Sequence, residues 1–276
     1  MNCVGYVNAR SAIATKLARR LAVACKQDAT LPGKARPLRV IDLCTGTGCI
    51  ALLLHALLAP HFEQLSVRGL DISPTALELA QKNLAYNLQR GLLTRRASTD
   101  VHFSLADVLG QGDASVPVVE EVLRNCLSRP NMFEDPSPDL GCDVLISNPP
   151  YISPSAFRDG TTARSVRRFE PKLALVPPLV DSVDSEGLAG GRPEDIFYHR
   201  LITLSFRLRA KVTVLECGDI AQANRVVAMH QAIASGQADA SSAEVWPITE
   251  QELLANGFHP HDGSRCVVIQ RQSHER

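Results

Sequence analysis

From Leu38 to Gln270 short β-type runs alternate with helical stretches, and that alternation limits the possible folds more than any other feature of the chain. Leu38 to Leu43, Ser66 to Leu70, Val101 to Leu105, Val144 to Ser147 and Lys211 to Glu216 are strand-like. Cys49 to Leu58 is helical and apolar nearly all round. The next helix opens at Ser73-Pro74, an N-cap followed by proline at the first helical position, and runs to about Gln89. Glu194 to Arg209 and Ile220 to Ser235 supply two more helices. Glu244 to Ile248 and Cys266 to Gln270 close the chain as strands with no helix between them, so one of the two runs antiparallel. The expected fold is α/β: seven strands, mostly parallel with one antiparallel, and helices on both faces.

Two stretches break the rhythm. Gly110 to Gly141 carries four prolines and one helical segment, Val118 to Ser128, and is expected as a surface insertion, tolerated because closure entropy grows slowly with loop length. Asp181 to Pro193 is acidic and glycine-rich and is expected as a mobile loop. Ahead of the first strand, residues 1–27 hold five basic residues and no acid, with Ile13, Leu17, Leu21 and Ala24 at helical spacing. A first helix packed on the fold and a mitochondrial transit peptide both fit that pattern. Thr30 to Pro37 is a linker rich in turn residues. The expected domain layout is therefore residues 1–37 as a basic helix and linker, then 38–276 as one domain with the insertion at about 110–141.

Charge excludes some partners. Lys and Arg number 29 and Asp and Glu 29, so the chain as a whole has no bias towards nucleic acid or an anionic membrane surface. No apolar run approaches the ~20 residues needed to cross a bilayer. The eight cysteines form no C-x-x-C pair and no cluster with histidine at ligand spacing, so no metal is expected and they are assigned as reduced, mostly buried residues.

The first strand leads directly into Asp42-Leu43-Cys44-Thr45-Gly46-Thr47-Gly48. Glycines at 46 and 48 let the backbone turn sharply and come close to a ligand, and the helix that follows aims its positive end there. Asp71 ends the second strand, where the ribose hydroxyls of an adenosine cofactor need an acceptor. Gly46 to Ala51 also satisfies the dinucleotide pattern G-x-G-x-x-A, so the loop alone leaves a nicotinamide cofactor open.

The fourth strand narrows the choice. It ends in Asn148-Pro149-Pro150-Tyr151. Two prolines fix φ and leave the Pro149 carbonyl in a defined direction, beside the Asn148 side-chain oxygen. Together these two acceptors can take both hydrogens of one NH2 group, while Tyr151 offers a flat face to a planar amide or base. Such a nitrogen is a poor nucleophile because its lone pair is delocalised. Two acceptors favour density on nitrogen, and holding the reactants in line can supply ~7–11 kcal/mol.

With both motifs placed, the chain resembles the HemK/PrmC-type release-factor glutamine methyltransferases, class I enzymes with a Rossmann-like sheet, from about Val40 to the C-terminal end. VIDLCTGTGCIALLL is similar to their first cofactor motif, GLDISPTALELAQKNL to their second, and DVLISNPPYI to their catalytic signature. Ser104 to Val108 sits where the family contacts adenine. Arg168-Phe-Glu170-Pro171-Lys-Leu-Ala-Leu175 resembles the downstream E-P-x-x-A-L segment, and Asp262-Gly263-Ser-Arg265 a shortened form of the D-x-x-G-x-x-R pattern. RRFEPKLALVPP is most similar to fungal mitochondrial members.

The resemblance implies S-adenosyl-L-methionine as cofactor and, as substrate, the glutamine of the Gly-Gly-Gln loop of a peptide-chain release factor. It carries Asp42, Cys44, Thr45, Gly46, Thr47, Gly48, Asp71, Ile72, Asp107, Val108 and Asn148 over as cofactor contacts. Asn148, Pro149, Pro150 and Tyr151 become the catalytic set, with Glu170 and Pro171 shaping the pocket wall. A mitochondrial location follows from the resemblance and the basic N-terminus, with a cytoplasmic one as the alternative. A monomer is the default.

The family also has an N-terminal helical domain and a P-R-x-E-T-E segment before the first strand. Here about 37 residues precede that strand, and Asn8 to Thr15 lacks those acids. A truncated, inactive relative therefore stays open. So does a DNA or RNA adenine-amine methyltransferase, which uses the same acceptor pair on a flipped base; it is not favoured, because direct nucleic-acid binding calls for a basic groove.

Overall fold

The computed structural model describes residues 17–18, 37–110, 115–127, 140–178, 192–247 and 265–272. Its strands form one seven-stranded sheet in the order β3-β2-β1-β4-β5-β7-β6. The strands are β1 (Leu38–Leu43), β2 (Leu65–Asp71), β3 (Val101–Leu105), β4 (Val144–Ser147), β5 (Val212–Cys217), β6 (Ser241–Pro247) and β7 (Arg265–Arg271). β1, β2 and β3 pair in parallel, and β7 runs antiparallel to both β5 and β6. This is the expected α/β sheet with one reversed strand. The chain divides into two compact units, one running through Ile146 and one built on Ser147–Pro247 with the last strand.

In the first unit, α1 (Cys49–Leu58) packs against β1, β2 and β3, and α2 (Pro74–Gln89) against β2 and β3. α1 buries Ala51, Leu52, Leu54, His55 and Leu58, which is why its sequence is apolar nearly all round. Ser73 caps α2 through a 3.2 Å bond from Ala76 N to its Oγ, with Pro74 in the first turn. A short helix, α3 (Ala97–Asp100), leads into β3 and was not expected. It forms a lock with α1: His55 Nε2 lies 3.0 Å from Asp100 Oδ2, and Arg96 Nη2 lies 3.1 Å from the same oxygen.

The stretch expected as a surface insertion contains α4 (Val119–Leu127), which buries Val119, Val122 and Leu123. Its entry is tied to the sheet by Asp107 N donating to Pro117 O and a parallel bridge between Asp107 and Val118. Apolar residues at positions 119, 122 and 123 give this helix a core face, so its described part is packed structure. Residues 111–114 and 128–139 lie outside the described residues, as does the glycine-rich stretch up to 191. At the N-terminus only Leu17 and Ala18 are described; both are helical and buried. The rest of the expected first helix or transit peptide, and the linker up to Ala35-Arg36, lie outside the described residues.

In the second unit, three short segments follow β4: α5 (Pro154–Asp159), α6 (Arg164–Phe169) and a 3-10 turn, Lys172–Ala174. A second 3-10 turn, Pro193–Asp195, then leads into α7 (Ile196–Arg207). α8 (Ile220–Ala234) packs on α7 and on β5, β6 and β7. Asp219 caps α8, its carboxylate accepting from Gln222 N at 2.7 Å. β4 is buried entirely, and β5 at every residue after Val212.

Candidate functional site

The glycine loop of the first unit is shaped by three residues in the left-handed region: Cys44 (φ 56°), Gly46 (φ 56°) and Gly48 (φ 76°). A Cβ at Gly48 would stand 2.6 Å from Phe103 Cζ and 3.0 Å from Ala80 Cβ, so this position excludes a side chain by contact as well as by φ. Among the described residues, a Cβ at Gly46 would meet nothing within 4 Å. Gly69 of β2, which the sequence reading passed over, is needed for the same packing, since its Cβ would lie 2.5 Å from Phe103 Cδ1.

Carboxylates fasten the loop from two sides. Asp42 is fully buried, and its Oδ2 accepts from Thr45 Oγ1 (2.6 Å) and Ala51 N (3.2 Å). That makes Asp42 a brace beneath the loop. Asp71 bridges two backbones, with Oδ2 accepting from Gly46 N (2.7 Å) and Oδ1 from Ser73 N (2.9 Å). Each oxygen keeps a second lone pair for another donor. Asn83 of α2 donates to Thr47 O at 2.9 Å, a support also missed from sequence although it lies inside the second cofactor motif. α1 begins at Gly48 with no side-chain cap from that residue and no acid of its own in the first turn; the Asp42 carboxylate beneath it takes the Ala51 N–H of that turn.

Beside Asp71, Ile72 is 36% exposed, an apolar surface next to the loop. Asp107 and Val108 are buried, and Asp107 Oδ1 accepts from Leu109 N at 2.9 Å. The structure thus gathers Cys44 to Gly48 with Asp71 and Asn83 around one loop.

A separate cavity on this unit lies between the sheet and α4, lined by Arg39, Ile41, Arg68, His102, Leu123 and Cys126. It shares no residue with the loop.

The Asn-Pro-Pro-Tyr segment belongs to the second unit. Pro149 and Pro150 are buried, while Asn148 and Tyr151 are half-buried. Tyr151 is held at three points. Its hydroxyl donates to Glu216 Oε1 at a long 3.4 Å, its carbonyl accepts from Gln222 Nε2 at 3.3 Å, and its ring lies over Gly218. Ile152 N donates to Leu175 O (2.9 Å), which fastens the end of this segment to the E-P-x-x-A-L stretch. Glu170 and Pro171 themselves are exposed, and the anchoring falls to Leu175, which is buried.

Behind the motif, Tyr198 is fully buried and donates to Glu216 O at 2.8 Å. Burial pushes its phenol well up, so it stays a donor. Burial likewise pushes the Cys217 thiol up to about 12, which leaves no thiolate there to act as nucleophile.

No family model matches the chain. It is 34% identical over 144 residues to a protein of Schizosaccharomyces pombe named probable MRF1 mitochondrial N(5)-glutamine methyltransferase mtq1, covering 52% of this chain and 37% of that protein. It is 31% identical over 136 residues to a release factor glutamine methyltransferase of Koribacter versatilis, covering 49% and 34%. A ribosomal protein uL3 glutamine methyltransferase of Bradyrhizobium diazoefficiens is 33% identical over 138 residues, covering 50% and 30%. The matched stretch spans about a third of the length of these relatives. Among solved structures, the human methyltransferase 10 domain containing protein is similar with a TM-score of 0.49 at 15% identity, covering 96% of this chain and 82% of that one.

Proposed function

We propose that the chain is an S-adenosylmethionine-dependent methyltransferase acting on the side-chain amide of the Gly-Gly-Gln glutamine in a peptide-chain release factor. The observation that carries the reading is Asn148-Pro149-Pro150-Tyr151 set directly after a fully buried strand and fastened at Tyr151 and Ile152. The names of the relatives support it, one a release factor glutamine methyltransferase and one an MRF1 N(5)-glutamine methyltransferase. The Schizosaccharomyces pombe relative also supports a mitochondrial location. Residues 38–276 are taken as the methyltransferase domain and 1–37 as the segment ahead of it.

The loop suits the cofactor. At Gly46 the backbone is open, among the described residues, where a Cβ would stand, and the N-terminus of α1 follows. Gly46 to Gly48 would lie against its amino-acid end, Asp71 would accept from a ribose hydroxyl through a free lone pair, and Ile72 would cover adenine. When bound, S-adenosylmethionine supplies an electrophilic methyl group. The work of the chain is to bind and aim. Asn148 Oδ1 and Pro149 O accept the two hydrogens of the glutamine amide and so direct its lone pair. Tyr151 gives the amide plane a surface to lie on. No general base is needed, because the nitrogen loses its proton only after it has been alkylated.

A glutamine on ribosomal protein uL3 is the second substrate, favoured by the relative of that name. Titration calorimetry with S-adenosylhomocysteine, with NAD as control, tests the cofactor. Labelled methyl transfer to a release factor or to uL3 tests the substrate. Binding of S-adenosylhomocysteine alone, with label on the release factor, is expected. Binding of NAD alone would replace the reading with a nicotinamide enzyme.

A further inference from the structure

Behind Tyr151 lies a buried polar network that the reaction described above does not use. Gln222 on α8 is 3% exposed, and three of its four amide hydrogen-bonding positions are filled. Its Oε1 accepts from Gly218 N at 2.8 Å. Its Nε2 donates to Asp195 Oδ1 at 2.9 Å and to Tyr151 O at 3.3 Å. Only one orientation of the amide works, because the flipped one would face its oxygen towards two acceptors.

Asp195 is itself clamped. It stands at the N-cap position of α7 without capping it, and its carboxylate turns to Arg225, which approaches as a fork with Nε on Oδ2 and Nη2 on Oδ1 at 3.0 Å. Arg225 lies three residues beyond Gln222, so both project from the same face of α8. That pairing raises the Arg225 pKa and orients the carboxylate of Asp195, 3% exposed, towards Gln222. The same amide also fixes Gly218, where an added Cβ would stand 3.0 Å from Tyr151 Cδ2 and 3.3 Å from Gln222 Oε1. The Tyr151 ring therefore rests on a backbone that Gln222 holds from behind.

We propose that Gln222, oriented by the Asp195–Arg225 pair, is a positioning residue for methyl transfer: it sets the Tyr151 carbonyl and the Gly218 backbone, and through them the ring face presented to the planar amide. The inference rests on the assignment of Asn148 to Tyr151 as the amide-binding segment. Gln222 touches no reacting atom, and its effect passes through Tyr151.

Gln222→Ala, Gln222→Glu and the milder Arg225→Lys, which keeps the charge but loses the fork, test it in the full chain. Gln222→Ala should lower kcat roughly tenfold to a hundredfold, the scale of a misplaced reacting group, with S-adenosylhomocysteine affinity unchanged. In a Tyr151→Ala background it should lower kcat no further. Arg225→Lys should show a smaller loss of the same kind. Gln222→Glu places acceptors against acceptors when ionised and regains a donor when protonated, so its kcat should recover on acidification from about pH 8 to about pH 6, unlike that of the native chain.

A parallel loss of cofactor affinity and kcat, an undiminished effect in the Tyr151→Ala background, or an unchanged kcat would each overturn the proposal. Ring-labelled tyrosine NMR separates this failure from failure of the functional reading. Gln222→Ala should shift or broaden the Tyr151 resonance and leave Tyr86 unchanged even if the native chain methylates no substrate offered. An unmoved Tyr151 resonance overturns the positioning role whatever the activity.

Discussion

At the scale of single residues, the two loop glycines do different work, and substitution separates them. Gly48→Ala meets both a positive φ and Phe103 at 2.6 Å, so it should lower the thermal midpoint clearly; the backbone term alone is ~1–2 kcal/mol. Gly46→Ala carries only the backbone term and fills the open space, so it should weaken S-adenosylhomocysteine binding with the smaller fall in midpoint. The reverse ranking in calorimetry and thermal denaturation would place the ligand elsewhere. Asn148→Ala should reduce kcat far more than cofactor affinity, since its oxygen serves the reacting amide; equal losses would make it a structural residue. Asp71→Ala should cost binding roughly 1.5–3 kcal/mol, the range for hydrogen bonds to a charged group. Because Asp71 also holds Gly46 N and Ser73 N, a loss of stability should accompany it.

At the scale of elements, the cap of α2 gives a bounded test. Ser73→Ala removes the bond from Ala76 N and should cost ~1 kcal/mol in urea denaturation, with little effect if the cap were idle. The same Ser-Pro signal recurs at Ser153-Pro154, where it caps α5. α5 and α6 are six residues each and carry four arginines on little apolar surface, so periodicity could not reveal them. β1, β3 and β4 were legible to the residue because each is a short, largely apolar run bounded by polar or turn-forming residues. The glycine loop and Asn-Pro-Pro-Tyr were legible because their residue types are demanded locally. Gln222, Asp195 and Arg225 were not, since their partners are far apart in sequence and each alone passes for an ordinary helix residue.

For the whole molecule, acid should be the sensitive side. Burial holds His55, His102 and His230 below the usual histidine value, in His55 against the pull of Asp100. The unfolded chain therefore takes up protons first as pH falls past about 6.5, so this stability is complete above that pH and is lost as pH drops towards the folded-state values. The urea midpoint should fall between about pH 7.5 and about pH 5.5, less steeply in His55→Asn, and a midpoint rising on acidification would contradict the assignment.

The most direct test of the central claim is tandem mass spectrometry of a Gly-Gly-Gln release factor incubated with the full chain and S-adenosylmethionine. The account predicts one added methyl group on the side chain of that glutamine, abolished by Asn148→Ala. A methyl group on another residue, or none while S-adenosylhomocysteine still binds, would contradict it.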